Sequence, residues 1–134
     1  MNSLPFKALL GHETILFVDD EEALVKPSVL LLEKLGYRVV GIRSSMEAIE
    51  TFSKDPDAFD LVITDQVMPQ LTGVELARRM LNIRPTLSII LCTGLVDTFT
   101  PDVAKEHGFR GLLEKPLFLH DLATTVRRVL DEKE

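Results

Sequence analysis

Short apolar runs alternate with longer amphipathic stretches along the chain. The runs lie at residues 15–18, 37–42, 61–64, 87–92 and 111–113. Each is too short for a stable helix, and several are rich in Val and Ile, which is typical of strands buried on both faces of a parallel sheet. The pattern therefore predicts five central strands separated by helices.

Two of the intervening stretches carry clear signals for the start of a helix. Ser44 and Glu47 form a predicted capping box before the second helix, and Thr72 and Glu75 form another before the third. In such a box the hydroxyl and the carboxylate each accept a backbone N–H that the first helical turn leaves unpaired. We therefore expect helices to begin at these two positions.

The first and last helices are predicted from their limits and their apolar faces. A helix over residues 22–35 should end before Gly36, and Pro27 is expected to kink this helix or to delay its start. The last helix presents one apolar stripe to the core. The members of the stripe are Leu119, Leu122, Ala123, Val126 and Leu130.

Five strands alternating with five helices predict an α/β domain of three layers, with helices on both faces of the sheet. Because crossovers between parallel strands are right-handed, few topologies remain. The flavodoxin-like, doubly wound (βα)5 fold with a parallel sheet of order 2-1-3-4-5 is the common one at this size. We interpret residues 1–12 as a linker or tail and residues 13–134 as the domain.

Composition narrows the classes of function. A net charge of −6 without a basic cluster argues against direct nucleic-acid binding, and Arg127 and Arg128 are interpreted as a solvated helix face. Cys92 is the one cysteine, which excludes an intrachain disulfide and favours a reducing compartment. No apolar run approaches the roughly 20 residues of a membrane helix, so no membrane contact by this domain is expected.

Polar residues follow four of the five predicted strands. Asp19 and Asp20 follow the first strand, Asp65 the third, Thr93 the fourth and Lys115 the fifth. The carboxyl ends of parallel strands lie along one edge of the sheet, where doubly wound folds bind ligands. An Asp-Asp pair alone is more often a helix cap, but the coincidence of all four positions indicates a site.

The residue types at this edge favour phosphoryl chemistry. Three neighbouring carboxylates repel one another, and a divalent cation would offset that repulsion. Oxygen ligands in a water-accessible pocket favour Mg²⁺ over Zn²⁺. With its charge neutralised, Asp65 could attack a phosphoryl donor, while Lys115 and Thr93 offer an ammonium and a hydroxyl to the phosphoryl oxygens.

These motifs resemble those of response-regulator receiver domains. The resemblance covers nearly the whole chain and is carried by the segments ILFVDDE, LVITDQVMPQLTG, ILCTG and LLEKP. It implies that Asp65 accepts a phosphoryl group from a phosphohistidine on a histidine kinase or a histidine phosphotransfer domain. It also implies that Asp20, Asp65 and the backbone carbonyl of Val67 bind Mg²⁺ directly, and that Asp19 acts through a metal-bound water.

The resemblance extends to the other polar residues and to the output surface. Thr93 and Lys115 would bind the phosphoryl group, and the Lys115-Pro116 bond is a candidate cis peptide. The output surface would be helix four, strand five and helix five, through which a weak homodimer could form. The domain would catalyse only its own phosphorylation and slow autodephosphorylation. It would lie in the cytoplasm or in the cytoplasmic part of a hybrid histidine kinase, since GHETILFVDDE resembles the start of such receivers.

Three positions depart from the usual receiver pattern. Leu112 stands where receivers commonly carry the Phe or Tyr that moves together with the switch residue Thr93. Val67 and Leu95 occupy positions whose side chains border the path of the hydrolytic water. Because two apolar groups cannot orient that water by hydrogen bonds, we predict a long-lived phosphoaspartate.

Three other functions compete with this interpretation. An FMN-binding module would need a Gly/Ser/Thr-rich loop after the first strand, where this chain has DDEE. A Mg²⁺-dependent hydrolase with an Asp nucleophile would carry that nucleophile after the first strand, usually with a second Asp two residues later, and would need a cap domain. The third alternative is a receiver-like binding module that does not use phosphorylation, for which Leu112 leaves room.

Overall fold

The computed structural model describes residues 6–95 and 97–132, which contain a five-stranded parallel sheet. The order β2-β1-β3-β4-β5 confirms the predicted topology. The strands are β1 (Thr14–Val18), β2 (Arg38–Ile42), β3 (Leu61–Asp65), β4 (Ile89–Thr93) and β5 (Gly111–Glu114). Compared with the prediction, β2 and β4 begin later, and β3 and β4 run on to include the polar residues Asp65 and Thr93.

Helices cover both faces of the sheet. They are α1 (Glu22–Lys34), α2 (Ser45–Lys54), α3 (Gly73–Ile83), α4 (Pro101–Glu106) and α5 (Leu119–Asp131), with 3-10 turns at Phe6–Leu9 and Pro56–Ala58. Successive residues of β1 point to opposite faces. Leu16 and Val18 belong to the core shared with α2, α3 and α4, and Ile15 and Phe17 to the core shared with α1 and α5. The predicted three-layer arrangement is confirmed.

The predicted capping signals are present at the starts of α2 and α3. Both bonds of the box form at α3, where Glu75 N–H donates to the Thr72 hydroxyl and Thr72 N–H donates to the Glu75 carboxylate. At α2 the structure shows one of the two bonds of the box, in which Ser44 Oγ accepts from Glu47 N–H. These caps fix where the loops before α2 and α3 end.

One of the two effects expected at Pro27 is excluded, and the apolar stripe expected in α5 was wrong in part. α1 begins at Glu22, so Pro27 does not delay its start, and a kink there stays a prediction. The helix ends before Gly36, whose φ is +105°, as expected. In α5 the predicted stripe is buried except for Leu119, which is 45% exposed. Leu119 is the first residue of the helix and follows an exposed loop, whereas Val129, further along, joins the core instead.

Residues 6–12 pack against the end of the sheet where the strands begin. Leu9 is buried in the core beside α1 and α5. Gly11 N–H donates to the carbonyl of Leu35, and the carbonyl of Leu10 accepts from Arg127. The domain boundary at residue 13 stays a prediction. Across the described ranges, no helix combines the length and apolarity needed to cross a bilayer.

Candidate functional site

Three carboxylates meet where β1 and β3 end. Asp65 is the last residue of β3, and Asp19 and Asp20 directly follow β1, its neighbour in the sheet. One oxygen from each of the three lies within 4.8 Å of the others. Asp19 and Asp65 are buried, whereas Asp20 is exposed. The convergence inferred from the strand ends is therefore present, and the cluster has one side open to solvent.

Lys115 places its ammonium group among these carboxylates. It follows β5, and its Nζ lies 2.9 Å from Asp19 Oδ2 and 3.2 Å from Asp65 Oδ2. The Lys115-Pro116 peptide is cis, as predicted. Because the ammonium bridges two buried carboxylates, it offsets part of their mutual repulsion.

The pKa values at this site follow from burial and from the charges around it. Burial raises the pKa of the Asp65 carboxyl, and the charge of Asp19 raises it further, while Lys115 opposes both. For Lys115, burial lowers the pKa, but hydrogen bonding and charge interactions with Asp19 and Asp65 outweigh it and leave the pKa raised. Lys115 therefore stays protonated at neutral pH. Because the pKa of Asp65 is still raised, a divalent cation beside it would further stabilise its ionised carboxylate.

Thr93 closes the site on the side of β4. Asp65 pairs with Cys92 across the β3–β4 ladder, so Thr93 lies one residue further along the neighbouring strand. Its Oγ1 accepts from Leu95 N–H at 2.9 Å, and its carbonyl accepts from Lys115 N–H at 3.0 Å. The ends of β4 and β5 are thereby tied together beside the carboxylates.

The three positions that depart from the usual receiver pattern, Val67, Leu95 and Leu112, differ in their burial. The side chains of Val67 and Leu95 are 63% and 45% exposed, on the loops that follow β3 and β4. Leu112, in the middle of β5, is half-buried and packs against the core that α2, α3 and α4 cover. It also lines an open groove between α4 and α5. Leu112 thus joins the core to the surface predicted as the output face.

The sequence patterns did not predict that Glu21 also lies beside the carboxylates and Lys115. Its N–H donates to Asp19 Oδ1 at 3.0 Å, and its exposed carboxylate lies 3.7 Å from Lys115 Nζ. The acidic run DDEE at residues 19–22 could have indicated this role, but acidic residues are also common at the start of a helix. Glu21 adds to the negative field around Lys115.

Cys92 does not contribute a reactive thiol. It is buried in β4, and burial raises its thiol pKa to about 12. Since the thiolate is the reactive form, this cysteine stays inert at neutral pH.

The donor set fits a hard divalent cation. The three clustered groups are all carboxylates, and oxygen ligands with access to water are what Mg²⁺ prefers. A Zn²⁺ site would instead draw on imidazole or thiolate ligands. The site therefore offers a candidate metal position beside two buried carboxylates and the ammonium group of Lys115.

Comparison with known proteins gives a consistent result. The response regulator receiver domain model matches residues 15–127. Over 127 residues the chain is 34% identical to the sensor kinase CckA of Brucella abortus. This match covers 94% of this chain but only 13% of CckA. Over 122 residues it is 35% identical to the response regulator receiver protein CpdR of the same organism. This second match covers 87% of this chain and 95% of CpdR.

A solved structure shows the same fold with comparable identity. A response regulator receiver domain protein from Clostridium thermocellum superposes with a TM-score of 0.83 at 31% identity, covering 89% of this chain and 94% of that one. Receiver domains are signalling modules that exchange phosphoryl groups with histidine kinases or phosphotransfer partners, and they do not turn over a separate substrate. The chain belongs to the response regulator receiver domain family of two-component systems.

Proposed function

We propose that this receiver accepts a phosphoryl group on Asp65 from the phosphohistidine of a histidine kinase or a histidine phosphotransfer domain. The observation that carries the proposal is the meeting of Asp65 with Asp19 and Asp20 within 4.8 Å, with Lys115 in contact. Asp65 is the one of the three that ends a central strand, and its carboxylate contacts Gln66 N–H at 2.8 Å and Lys115 Nζ at 3.2 Å.

A Mg²⁺ ion would be held by Asp20, Asp65 and the backbone carbonyl of Val67, with Asp19 reaching it through a water molecule. When bound, the metal neutralises charge on the phosphoryl oxygens and so lets a carboxylate approach them. The acidic cluster with its open side supports this assignment. Asp20 supplies an exposed carboxylate, and the two buried ones lie behind it.

Besides the metal and the phosphohistidine of the partner, the proposed transfer uses Asp65, Lys115 and Thr93, which already lie at the site. An Asp65 oxygen attacks phosphorus, the bond between phosphorus and the imidazole nitrogen breaks, and the nitrogen keeps the electron pair. Lys115 is placed to move from the Asp65 carboxylate to a phosphoryl oxygen, because its flexible stem carries a compact charge. The Thr93 hydroxyl accepts from Leu95 N–H, which leaves its own proton free for donation to the same group.

We further propose how the signal leaves the site. A shift of Thr93 towards the phosphoryl group would open space that Leu112 can fill by changing rotamer, and this would alter the α4–β5–α5 surface. A weak homodimer through that surface is compatible with the groove that Leu112 lines. We also propose that the domain acts in the cytoplasm, in a hybrid kinase or as a relay partner. Similarity to the sensor kinase CckA and to the response regulator receiver protein CpdR supports these two settings. The net charge of −6 argues against direct contact with nucleic acid.

Incubation with acetyl phosphate or phosphoramidate and Mg²⁺, followed by intact mass measurement, tests the proposal. The protein should gain the mass of one phosphoryl group, and chelation of Mg²⁺ should prevent the gain. A receiver-like module that only binds partners would gain nothing under either condition, and that result would reject the proposed function.

A Val67→Asn variant should lose phosphate faster than the wild type. An exposed amide at this position can hydrogen-bond and orient the attacking water, which the valine side chain cannot do. One such bond corresponds to about a fivefold to tenfold increase in rate. The measurement is phosphate release from the purified phosphoprotein, with Val67→Ala as the matched control. Equal rates for the wild type and Val67→Asn would count against the apolar explanation of a long lifetime.

A further inference from the structure

The first residue after Asp65 holds the start of α3. The backbone carbonyl of Gln66 accepts from Gly73 N–H at 3.0 Å, and its side-chain Oε1 accepts from Val74 N–H at 3.0 Å. These are two of the N–H groups that an α-helix leaves unpaired at its start. Gln66 N–H in turn donates to Asp65 Oδ1 at 2.8 Å. One residue thus connects the carboxylate of Asp65 to the first turn of α3.

Gly73 allows this connection to be short. A Cβ at this position would collide with the backbone carbonyl oxygen of Asp65 and would lie 3.1 Å from the Cα of Gln66. The first turn of α3 therefore rests directly on the end of β3. Any larger residue at Gly73 would push the helix away from the backbone of Asp65 and Gln66.

The far end of the same loop is held by α2. The Ser45 hydroxyl is buried, donates to the carbonyl of Pro69 at 2.9 Å and accepts from Leu71 N–H at 3.1 Å. Between these two anchors, the backbone at Gln70 adopts a φ of +73°. Val67 directly follows Gln66 and precedes Met68, which is buried in the core, so its carbonyl is held from both sides and Gln66 supplies the polar anchor.

We infer that Gln66 is a positioning residue for the metal site, which fixes the Val67 carbonyl by binding the first turn of α3 and thereby favours Mg²⁺ over Ca²⁺. The inference rests on the proposed function, in which that carbonyl is a metal ligand. Mg²⁺ requires near-octahedral ligands at about 2.0–2.1 Å, whereas Ca²⁺ accepts flexible sets at about 2.3–2.6 Å. A carbonyl that can move therefore weakens Mg²⁺ binding more than Ca²⁺ binding.

The test is a Gln66→Leu variant, which keeps the size of the side chain and removes the oxygen that binds Val74 N–H. Calorimetric titration with each cation should show a Mg²⁺ dissociation constant about tenfold higher than in the wild type, in the range expected for loss of a partner behind a metal ligand. The Ca²⁺ constant should change less, so the ratio of the two affinities falls. Gln70→Leu is the matched control, because Gln70 lies on the same loop and its exposed side chain makes no hydrogen bond to the described residues.

The outcomes separate this inference from the proposed function. If wild-type protein binds Mg²⁺ and Gln66→Leu binds both cations as the wild type does, Gln66 has no positioning role and the proposed function stands. If both affinities fall by the same factor, Gln66 serves only general stability, and the inference is again overturned. If wild-type protein shows no Mg²⁺ binding, the proposed function fails, and the inference fails with it.

Discussion

An Asp65→Asn variant is expected to gain no phosphoryl group from acetyl phosphate and Mg²⁺ under conditions in which the wild type gains one. An amide lacks the nucleophilic carboxylate oxygen that the transfer needs. The substitution removes the charge that faces Lys115, but Asn keeps the shape of the side chain and an oxygen that can accept Gln66 N–H. Loss of labelling would therefore report on the chemistry of Asp65 and not on folding.

The matched control is Asp57→Asn, which makes the same chemical change at an exposed carboxylate in the 3-10 turn at Pro56–Ala58. It should be labelled as fully as the wild type. Equal labelling of Asp65→Asn and the wild type would falsify the assignment. In that case borohydride trapping and peptide mapping would show whether Asp19 or Asp20 carries the group, since both lie in the same cluster.

The meeting of the three carboxylates could be predicted because it follows from strand order. Once β1 and β3 are neighbours in a parallel sheet, residues that directly follow or end them must lie at one edge. The helix start at Thr72 was equally predictable, since a capping box lies within four residues of sequence. Such features depend on local spacing or on the regular geometry of the sheet.

The contacts that hold the site loop could not be predicted in this way. Ser45 bonds to Pro69 and Leu71 across more than 20 residues of sequence, and Gln66 reaches Val74 from the other end of a loop. No periodicity marks such bonds, because each depends on the path of one irregular segment. Sequence patterns therefore predicted which groups meet at the site but not the contacts of Gln66 and Ser45 that hold the loop beside it.

The interpretation of Arg127 as a solvated side chain was wrong for a similar reason. Its position on the polar side of α5 suggested exposure, yet the side chain is only 14% exposed. Leu10, Glu13 and Tyr37, which directly precedes β2, contact it, and none of them is near it in sequence. Arg128, by contrast, is exposed and pairs with Glu132 one turn further along the helix.

An Arg127→Leu variant should lower the free energy of unfolding by about 2–4 kcal/mol, because removal of one partner leaves the half-buried carboxylate of Glu13 uncompensated. Arg127 Nη2 lies 2.7 Å from Glu13 Oε2, and its Nη1 also donates to the carbonyl of Leu10 and to the hydroxyl of Tyr37. Arg128→Leu is the matched control and should change stability by less than about 0.5 kcal/mol, as expected for an exposed ion pair.

The same substitution should also alter how stability depends on pH. The hydrogen bond from Arg127 lowers the pKa of Glu13 from 4.5 to about 2, although burial opposes the shift. At pH values between about 2 and 4.5 the unfolded chain binds more protons at Glu13 than the folded chain does, so stability rises with pH. The contribution of Glu13 is complete above pH 4.5 and is lost as the pH falls to about 2.

Urea unfolding at several pH values across this window should therefore give a shallower increase of stability with pH in Arg127→Leu than in the wild type or Arg128→Leu. A Glu13→Gln variant should show the same shallow dependence, and the double variant should lose less than the sum of the two single losses, because both remove one interaction. Identical pH dependence in Arg127→Leu and the wild type would mean that the ion pair does not stabilise the fold. In that case the packing of Leu9 and the hydrogen bond from Gly11 N–H to the Leu35 carbonyl would hold residues 6–12 in place.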